Sequence, residues 1–282
     1  MEIKLGTYEV KLADEKPTRL AMLLWGVAGT FKTTIAATAP GKKLWLLFDD
    51  EGTSSIAALP RIHAGKDTAL ANEIYVVDLS HEKNSIIDKF KRDDGLGIGK
   101  FLEEHPDIET VVVDSTTRLS QMALERMIEL GIHKSAKLEL PGMGSYGGRN
   151  ALLLRMFVDV MNVTGKYNRN VIFISHEAEP SKNDEGHVLA ITMALGGQLP
   201  NLTTQKLGEV WHVQDVKGKR QINLRPFRVY KPMKSRMWNL GPGEPSEFEW
   251  KYDLDKPDPE YEIATWFKRW REGGGAKLRV PR

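Results

Sequence analysis

The chain has 282 residues, 41% hydrophobic and 28% charged, with a formal net charge of +2; such a composition suits a globular protein with an ordinary core, and its overall field does not by itself announce a polyanionic partner. No cysteine is present, so disulfides, thiolate metal sites and thiol nucleophiles are excluded together. The polar, alternating start MEIKLGTYEVKLADEK is unlike a signal peptide, and no apolar run approaches the roughly 20 residues of a membrane-spanning helix, so a cytoplasmic protein without a membrane partner is expected.

From residue 19 onward, short apolar runs alternate with helical stretches, which predicts an α/β fold with a mainly parallel sheet. Arg19–Trp25 (RLAMLLW) reads as a buried strand, followed by a glycine-bearing turn and a short helix through Thr38. Lys43–Phe48 reads as a second strand, ending in Asp49, Asp50, Glu51 and Gly52, and Glu73–Leu79 as a third. Helical stretches are expected near Glu82–Lys91 and Gly99–Glu104. Glu109–Asp114 (ETVVVD) is the strongest strand and leads into a helix over Thr117–Leu130. Pro141 and several glycines predict a loop over Gly131–Gly148, ahead of a helix over Asn150–Val163 and a strand over Asn170–Ser175 that ends at His176. Farther on, Glu177–Gly186 is polar and aperiodic, and residues 187–195 and 208–230 alternate like antiparallel strands. The Pro/Gly/Glu-rich stretch Gly241–Glu249 reads as a linker, Tyr261–Arg271 as an amphipathic helix, and the segment from Gly273 as a mobile tail.

The first strand and helix enclose G-x-x-G-x-x-K-T, with Gly26, Gly29, Lys32 and Thr33 inside the stretch Gly26, Val27, Ala28, Gly29, Thr30, Phe31, Lys32, Thr33, Thr34. A tight glycine-bearing turn points backbone N–H groups at an anion, and the following helix N-terminus adds its own. In that strand–turn–helix context the lysine reaches the β- and γ-phosphates of ATP, and the Thr33 hydroxyl is placed to ligate Mg²⁺. Phe31 departs from the pattern, because glycine is usual before the lysine; its side chain either crowds the phosphates or turns away into the fold.

Asp114 at the end of VVVD fits the strand-end carboxylate that holds the magnesium shell, although Asp114-Ser115-Thr116-Thr117 also reads as a helix cap. Glu51 follows the second strand, where a carboxylate can orient or deprotonate an attacking water, and Asp49 and Asp50 compete for the same role. His176, at another strand end, is a candidate sensor of the γ-phosphate. Lys217, Lys219, Arg220, Arg225, Arg228, Lys231, Lys234 and Arg236 lie within twenty residues that contain no acidic residue, with Phe227 and Tyr230 interleaved. Such a surface can neutralise nucleic-acid phosphates and offer rings for base stacking; exposed strands with solvated lysines are the plainer alternative.

In this order the motifs resemble the RecA-type recombinase core, and specifically the RecA-like ATPases of bacteriophages in the single-strand annealing and recombination (Sak-type) group. GVAGTFKTT is similar to the family's phosphate loop, LLFDDEG to its strand ending in the catalytic glutamate (Glu51 here), TVVVDSTTRLS to the strand with the magnesium-associated aspartate (Asp114), and SYGGRNALLLRMFVDVMNVTGKYNRNVIFISHE to the helix and strand leading to the polar sensor (His176). The resemblance implies a RecA-like core over residues 19–236, an N-terminal segment over 1–18 that could serve as an oligomerisation arm, and a linker, amphipathic helix and basic tail over 237–282. It also implies ATP and Mg²⁺ as ligands, ATP hydrolysis, single-stranded DNA as partner, a homo-oligomeric ring or filament, and cooperation with a single-strand-binding protein in a host cytoplasm. The family's two DNA loops correspond to about 133–149 and 177–197. Arg225, Arg228, Lys234 and Arg236 become candidates for DNA contact or, with Lys234 and Arg236 foremost, for reaching a neighbour's nucleotide in trans. A non-hydrolysing nucleotide-stabilised oligomer, a replicative helicase-like motor and a small-molecule kinase are the alternatives.

Overall fold

The computed structural model describes residues 3–5, 8–10, 19–50, 52–90, 94–131 and 141–281. Two short strands, β1 (Ile3–Leu5) and β2 (Tyr8–Val10), pair antiparallel. The core begins with β3 (Ala21–Gly26), α1 (Lys32–Ala37), β4 (Lys42–Leu47), α2 (Thr53–Ile62) and β5 (Ile74–Asp78). It continues with α3 (Ile98–Glu104), β6 (Ile108–Asp114), α4 (Thr116–Glu129), α5 (Met143–Lys166) and β7 (Asn170–His176). A two-residue β8 (Ser181–Lys182) and β9 (Val188–Ala190) form a small antiparallel pair, then come α6 (Leu199–Lys206), β10 (Glu209–Val216), β11 (Lys219–Asn223), β12 (Glu247–Glu249) and α7 (Ile263–Glu272).

The main sheet has eight strands in the order β12-β11-β10-β3-β7-β6-β4-β5. The six strands from β10 to β5 are mutually parallel, and β11 and β12 extend the β10 edge antiparallel. This is the α/β class expected, a mostly parallel sheet flanked by helices with antiparallel strands added toward the C-terminus. β3, β6 and β7 are buried on both faces, which is why they read as unbroken apolar runs rather than alternating ones. Leu23 and Trp25 pack with Met122 and Ala123 of α4 and with Leu153, Met156 and Phe157 of α5. Met22 and Leu24 face the other way, onto Ile35 and Ala36 of α1, Ile56 of α2, and Trp266 and Phe267 of α7.

Several stretches differ from their sequence reading, each for a physical reason. Residues 143–148 belong to α5, not to a loop. The glycines that suggest a loop serve close helix packing, since a Cβ on Gly148 would run into the Met127 side chain of α4. β10 is not simply part of an antiparallel pair; it lies parallel to β3 as well, with Trp211 aligned on Leu24 and His212 on Trp25. Within Gly241–Glu249, residues Glu247–Glu249 are the edge strand β12, locked on by hydrogen bonds such as Leu224 N–H to Ser246 O (2.8 Å) and Trp250 N–H to Arg220 O (2.7 Å). The segment after Gly273 is tied back through Leu278 N–H to Met237 O (2.8 Å) and Asn239 N–H to Leu278 O (2.8 Å), with Val280 buried. α2, with Pro60 inside it, and α6 add two helices to those expected from the sequence.

The residues after β12 dock on the core through both rings and a buried carboxylate. Trp266 of α7 meets Trp238 (5.4 Å between ring centroids), Phe248 (5.5 Å) and Trp211 (5.9 Å), contacts of the tilted and edge-to-face kinds that aromatic pairs favour. Buried Glu262 accepts from the Thr68 hydroxyl, from Ala69 N–H (2.9 Å) and from the Tyr252 hydroxyl (2.9 Å). Lys43, in the middle of this face, donates to Gly41 O (2.8 Å) and Ala69 O (2.9 Å), and burial pushes its ammonium down to about 7, with Glu262 and Glu109 pulling the other way. Replacing Glu262 by Ala removes the shared acceptor of these donors and leaves two of them stranded, because the Thr68 and Tyr252 hydroxyls, 2.9 Å apart, can still pair with each other; a loss of about 3 kcal/mol in unfolding free energy is expected from denaturant titration. Because the folded Lys43 binds its proton less tightly than an unfolded lysine near 10.5, its contribution is complete above that value and is lost as pH falls toward 7. Stability measured from pH 7 to 10 is therefore expected to rise more steeply in the wild type than in Lys43→Met.

Candidate nucleotide site

The site grows from strand register. In the parallel sheet Gly26 of β3 aligns with His176 of β7, and Asp114 of β6 aligns with Ile174 of β7 and Leu47 of β4. The carboxyl ends of four strands, and the loops that leave them, therefore open at one edge. There Lys32, Thr33, Asp49, Asp114 and His176 line a cleft of about 370 Å³ together with the loop from Ala28 to Phe31.

The loop is shaped by its glycines. Gly29 has φ +79°, a left-handed conformation that suits glycine. At Gly26 the constraint is space, because a Cβ there would overlap the Val213 carbonyl of neighbouring β10. Phe31 also sits in the left-handed region, at φ 65°, where a glycine would be expected. Its ring is engaged: the Arg220 guanidinium of β11 lies 3.5 Å above the ring centroid, and that guanidinium donates to Tyr252 O at 3.0 Å. The cation–π contact and packing against the α1 face of the sheet offset the backbone cost of about 1 kcal/mol.

Lys32 is buried at the foot of the loop, and its ammonium donates to Gly26 O (3.0 Å) and Val27 O (2.6 Å). Burial lowers its pKa to about 8 against the pull of Asp114, Glu177 and Asp49. The Thr33 hydroxyl donates to Asp114 Oδ2 at 3.3 Å. Burial, seconded by the charge of Asp49, raises the Asp114 carboxyl to about 6, while Thr33 and His176 oppose the rise. The cap expected around Asp114 falls on the next residue, Ser115, whose hydroxyl accepts from Arg118 N–H (3.3 Å). Asp114 is thus left to Thr33; the Asp114–Ser115 peptide bond is cis.

His176 is half-exposed, with Nε2 3.7 Å from Asp49 Oδ2. Its backbone N–H donates to the Thr117 hydroxyl (2.8 Å), which fixes the end of β7 against the start of α4. Burial alone would raise the Asp49 carboxyl; hydrogen bonds with His176 and Ser115 and the charge of Arg118 outweigh it and bring the pKa below the ordinary value. Of the three carboxylates that compete after β4, Asp49 lines the cleft, Asp50 is exposed, and Glu51 lies outside the described residues.

Two features escape sequence reasoning. Glu177 follows the histidine, its N–H donates to Gly26 O (3.0 Å), and its carboxylate meets Nε2 of fully buried His212 at 3.0 Å. The His212 ring lies between those of Trp25 (4.3 Å) and Tyr230 (4.8 Å), tilted against both, and neighbours Asn223. The second is Arg220, drawn out of the basic stretch to Phe31. A strand order would have exposed both, since β10 flanks β3 and β11 flanks β10; a linear pattern does not supply one. The other basic candidates scatter: Arg225, Arg228 and Arg236 are exposed, while Lys234 donates to Thr204 O (2.7 Å). Of the expected first DNA loop, residues 133–140 lie outside the described residues, and 143–149 form the first turns of α5. The second, 177–197, leaves the site directly at His176 and carries β8 and β9.

The residues fit a hard divalent cation held with phosphates, because Thr33 and Asp114 already bring two oxygens together. Among the described residues no cluster of three or more His, Cys, Asp or Glu could hold a metal alone, so remaining ligands would come from nucleotide and water. The glycines give a direct check. Gly26→Ala is expected to cost more than about 2 kcal/mol because backbone meets backbone, whereas Gly29→Ala, with open space around it, is expected to cost about 1 kcal/mol from φ alone. Thermal melts of the two variants compare the costs.

No curated protein matches the chain in sequence. Among solved structures, the crystal structure of the RadB recombinase aligns over 86% of this chain and 90% of its own at 15% identity, with a TM-score of 0.46. The family model AAA_24, an AAA domain, matches residues 18–236, the span that holds the Gly26–Thr34 loop, Asp114 and His176. The chain belongs to the AAA_24 family of AAA domains.

Proposed function

We propose that this chain is a RecA-like protein that binds ATP with Mg²⁺, hydrolyses the ATP, and uses the cycle to control its hold on single-stranded DNA during annealing or strand exchange in phage-type recombination. The observation that carries the reading is the convergence of Lys32, Thr33, Asp114, Asp49 and His176, from four separate segments of the chain, on one cleft. In this reading the loop N–H groups and Lys32 hold the β- and γ-phosphates. Thr33 and Asp114 hold the cation, which supplies charge neutralisation on the phosphates when bound. Glu51, or Asp49 beside His176, orients the water that attacks the γ-phosphorus as the bond to the bridging oxygen breaks. His176 contacts the γ-phosphate and begins the 177–197 segment, so a change at the phosphate is passed to a candidate DNA loop. The Phe31 ring stacked on Arg220 gives the non-hydrolysing alternative less support.

DNA contact is supported by Tyr146, exposed on the first turns of α5 with the Arg149 guanidinium 5.3 Å from its ring, a platform of the kind that stacks unpaired bases. The exposed Arg225, Arg228 and Arg236, with Lys234, would meet phosphates of DNA or of a neighbour's nucleotide in a homo-oligomer. A single-strand-binding protein and a host-cell cytoplasm complete the proposal; among the described residues no helix is long and apolar enough to cross a membrane.

ATP turnover with and without single-stranded DNA tests the reading. Wild type is expected to turn over faster with DNA, Lys32→Ala and Asp114→Asn to fall at least about 100-fold, and His176→Ala to retain ATP binding while losing the stimulation. Wild-type turnover no higher than that of Lys32→Ala would exclude the motor. Tyr146→Ala is expected to weaken single-stranded DNA binding by about tenfold or more with unchanged DNA-free turnover, read by fluorescence anisotropy.

A further inference from the structure

Strand order gives the cleft a direction. Asp114, Asp49 and His176 end β6, β4 and β7, all on one side of β3, while β10 and β11 lie on its other side. With Thr33 and Asp114 as the cation-holding pair, the other end of a triphosphate would leave toward β10 and β11. There the wall of the cleft is Phe31, and the next side chain outward is Arg220.

Beyond Arg220 opens a second recess of about 390 Å³, lined by Lys219, Arg220, Glu249, Asp253 and Asp255 and floored by Trp250 and Tyr252. The two floor rings stack at 5.2 Å with 6° between their planes, and Arg220 lies 5.8 Å from the Trp250 ring. Arg220 thus lines the recess and reaches the cleft through Phe31, touching that ring while its fork holds Tyr252 O. The recess has room for a nucleoside, and its chemistry is mixed in the way a nucleoside requires. A planar guanidinium stacks on a base and donates to its ring nitrogens, and carboxylates accept from ribose hydroxyls and exocyclic amines.

We propose that the nucleoside end of the bound nucleotide seats in this recess, with Arg220 as the residue that distinguishes a nucleoside triphosphate from a bare triphosphate chain. The proposal rests on the reading of the Lys32 loop as the phosphate site. It also gives Phe31 a use: where other such loops have glycine, this one has a ring that holds Arg220 at the boundary between phosphate and base.

Calorimetry on the full chain with MgATP and with magnesium tripolyphosphate separates the two ideas. Wild type is expected to bind ATP more tightly than tripolyphosphate. Arg220→Ala is expected to lose about tenfold in ATP affinity, as the loss of one stacked cation implies, with tripolyphosphate affinity unchanged. Asp253→Asn, exposed and away from the loop, is expected to lose ATP affinity severalfold, again without change for tripolyphosphate, and so covers the case in which Arg220→Ala does not fold. Lys32→Ala is expected to weaken both ligands. If Arg220→Ala weakens both ligands equally, Arg220 only props the loop and the proposal is overturned. Wild-type ATP-to-tripolyphosphate ratios in both Arg220→Ala and Asp253→Asn would overturn it too. Unchanged binding of both ligands to Lys32→Ala would instead sink the phosphate reading.

Discussion

Everything in this molecule depends on the register of four parallel strands. Hydrogen bonding places Gly26 opposite His176 and Asp114 opposite both Ile174 and Leu47. A slip of one residue in β6 or β7 would turn Asp114 or His176 to the other face, and a slip in β6 would take from Thr33 its Asp114 acceptor. The register is held by burial, because these strands are covered on both sides and their side chains fill two packed layers. The chemistry at the edge is therefore positioned by the dry centre of the sheet, and the loops need only carry short polar side chains a small distance beyond it.

That arrangement also explains the electrostatic character of the cleft. The charge of Asp49 disfavours that of Asp114, and the ammonium of Lys32 lies close to both but is itself partly desolvated. Two carboxylates around one buried ammonium, at a helix N-terminus with converging N–H groups, suit a ligand that brings phosphate oxygens together with a divalent cation. Glu177 adds another carboxylate within range of Lys32, but its contact with buried His212 directs it toward β10 and away from Asp114. The histidine is gripped between Trp25 and Tyr230, so this pair links the loop after β7 with the strands on the far side of β3.

Much of this was legible in the sequence because it is local. A buried strand, a glycine-bearing turn and a lysine at the start of a helix lie within a few residues of one another, and Asp114 and His176 mark strand ends that apolar runs announce. What was not legible depends on which strands are neighbours. Phe31 looked like a defect until β11 supplied Arg220, and the basic stretch looked uniform until one of its members turned inward. The glycines near α5 looked like a loop because close packing on Met127 leaves the same trace in sequence as a turn does. β12 and the segment after Gly273 looked loose because short strands and single backbone bridges have no periodicity to detect. Glu51, read as the water-activating carboxylate, lies outside the described residues; of the two described acids of that group, Asp49 lines the cleft.

The central claim is that the edge where these four strands end is a nucleotide site. Hydrogen–deuterium exchange with and without MgATP addresses it most directly. The account predicts slower exchange at the amides of residues 26–34 on adding MgATP, with smaller effects at 114–117 and 176–177 and none in α3. Unchanged exchange across residues 26–34 at saturating MgATP would contradict it.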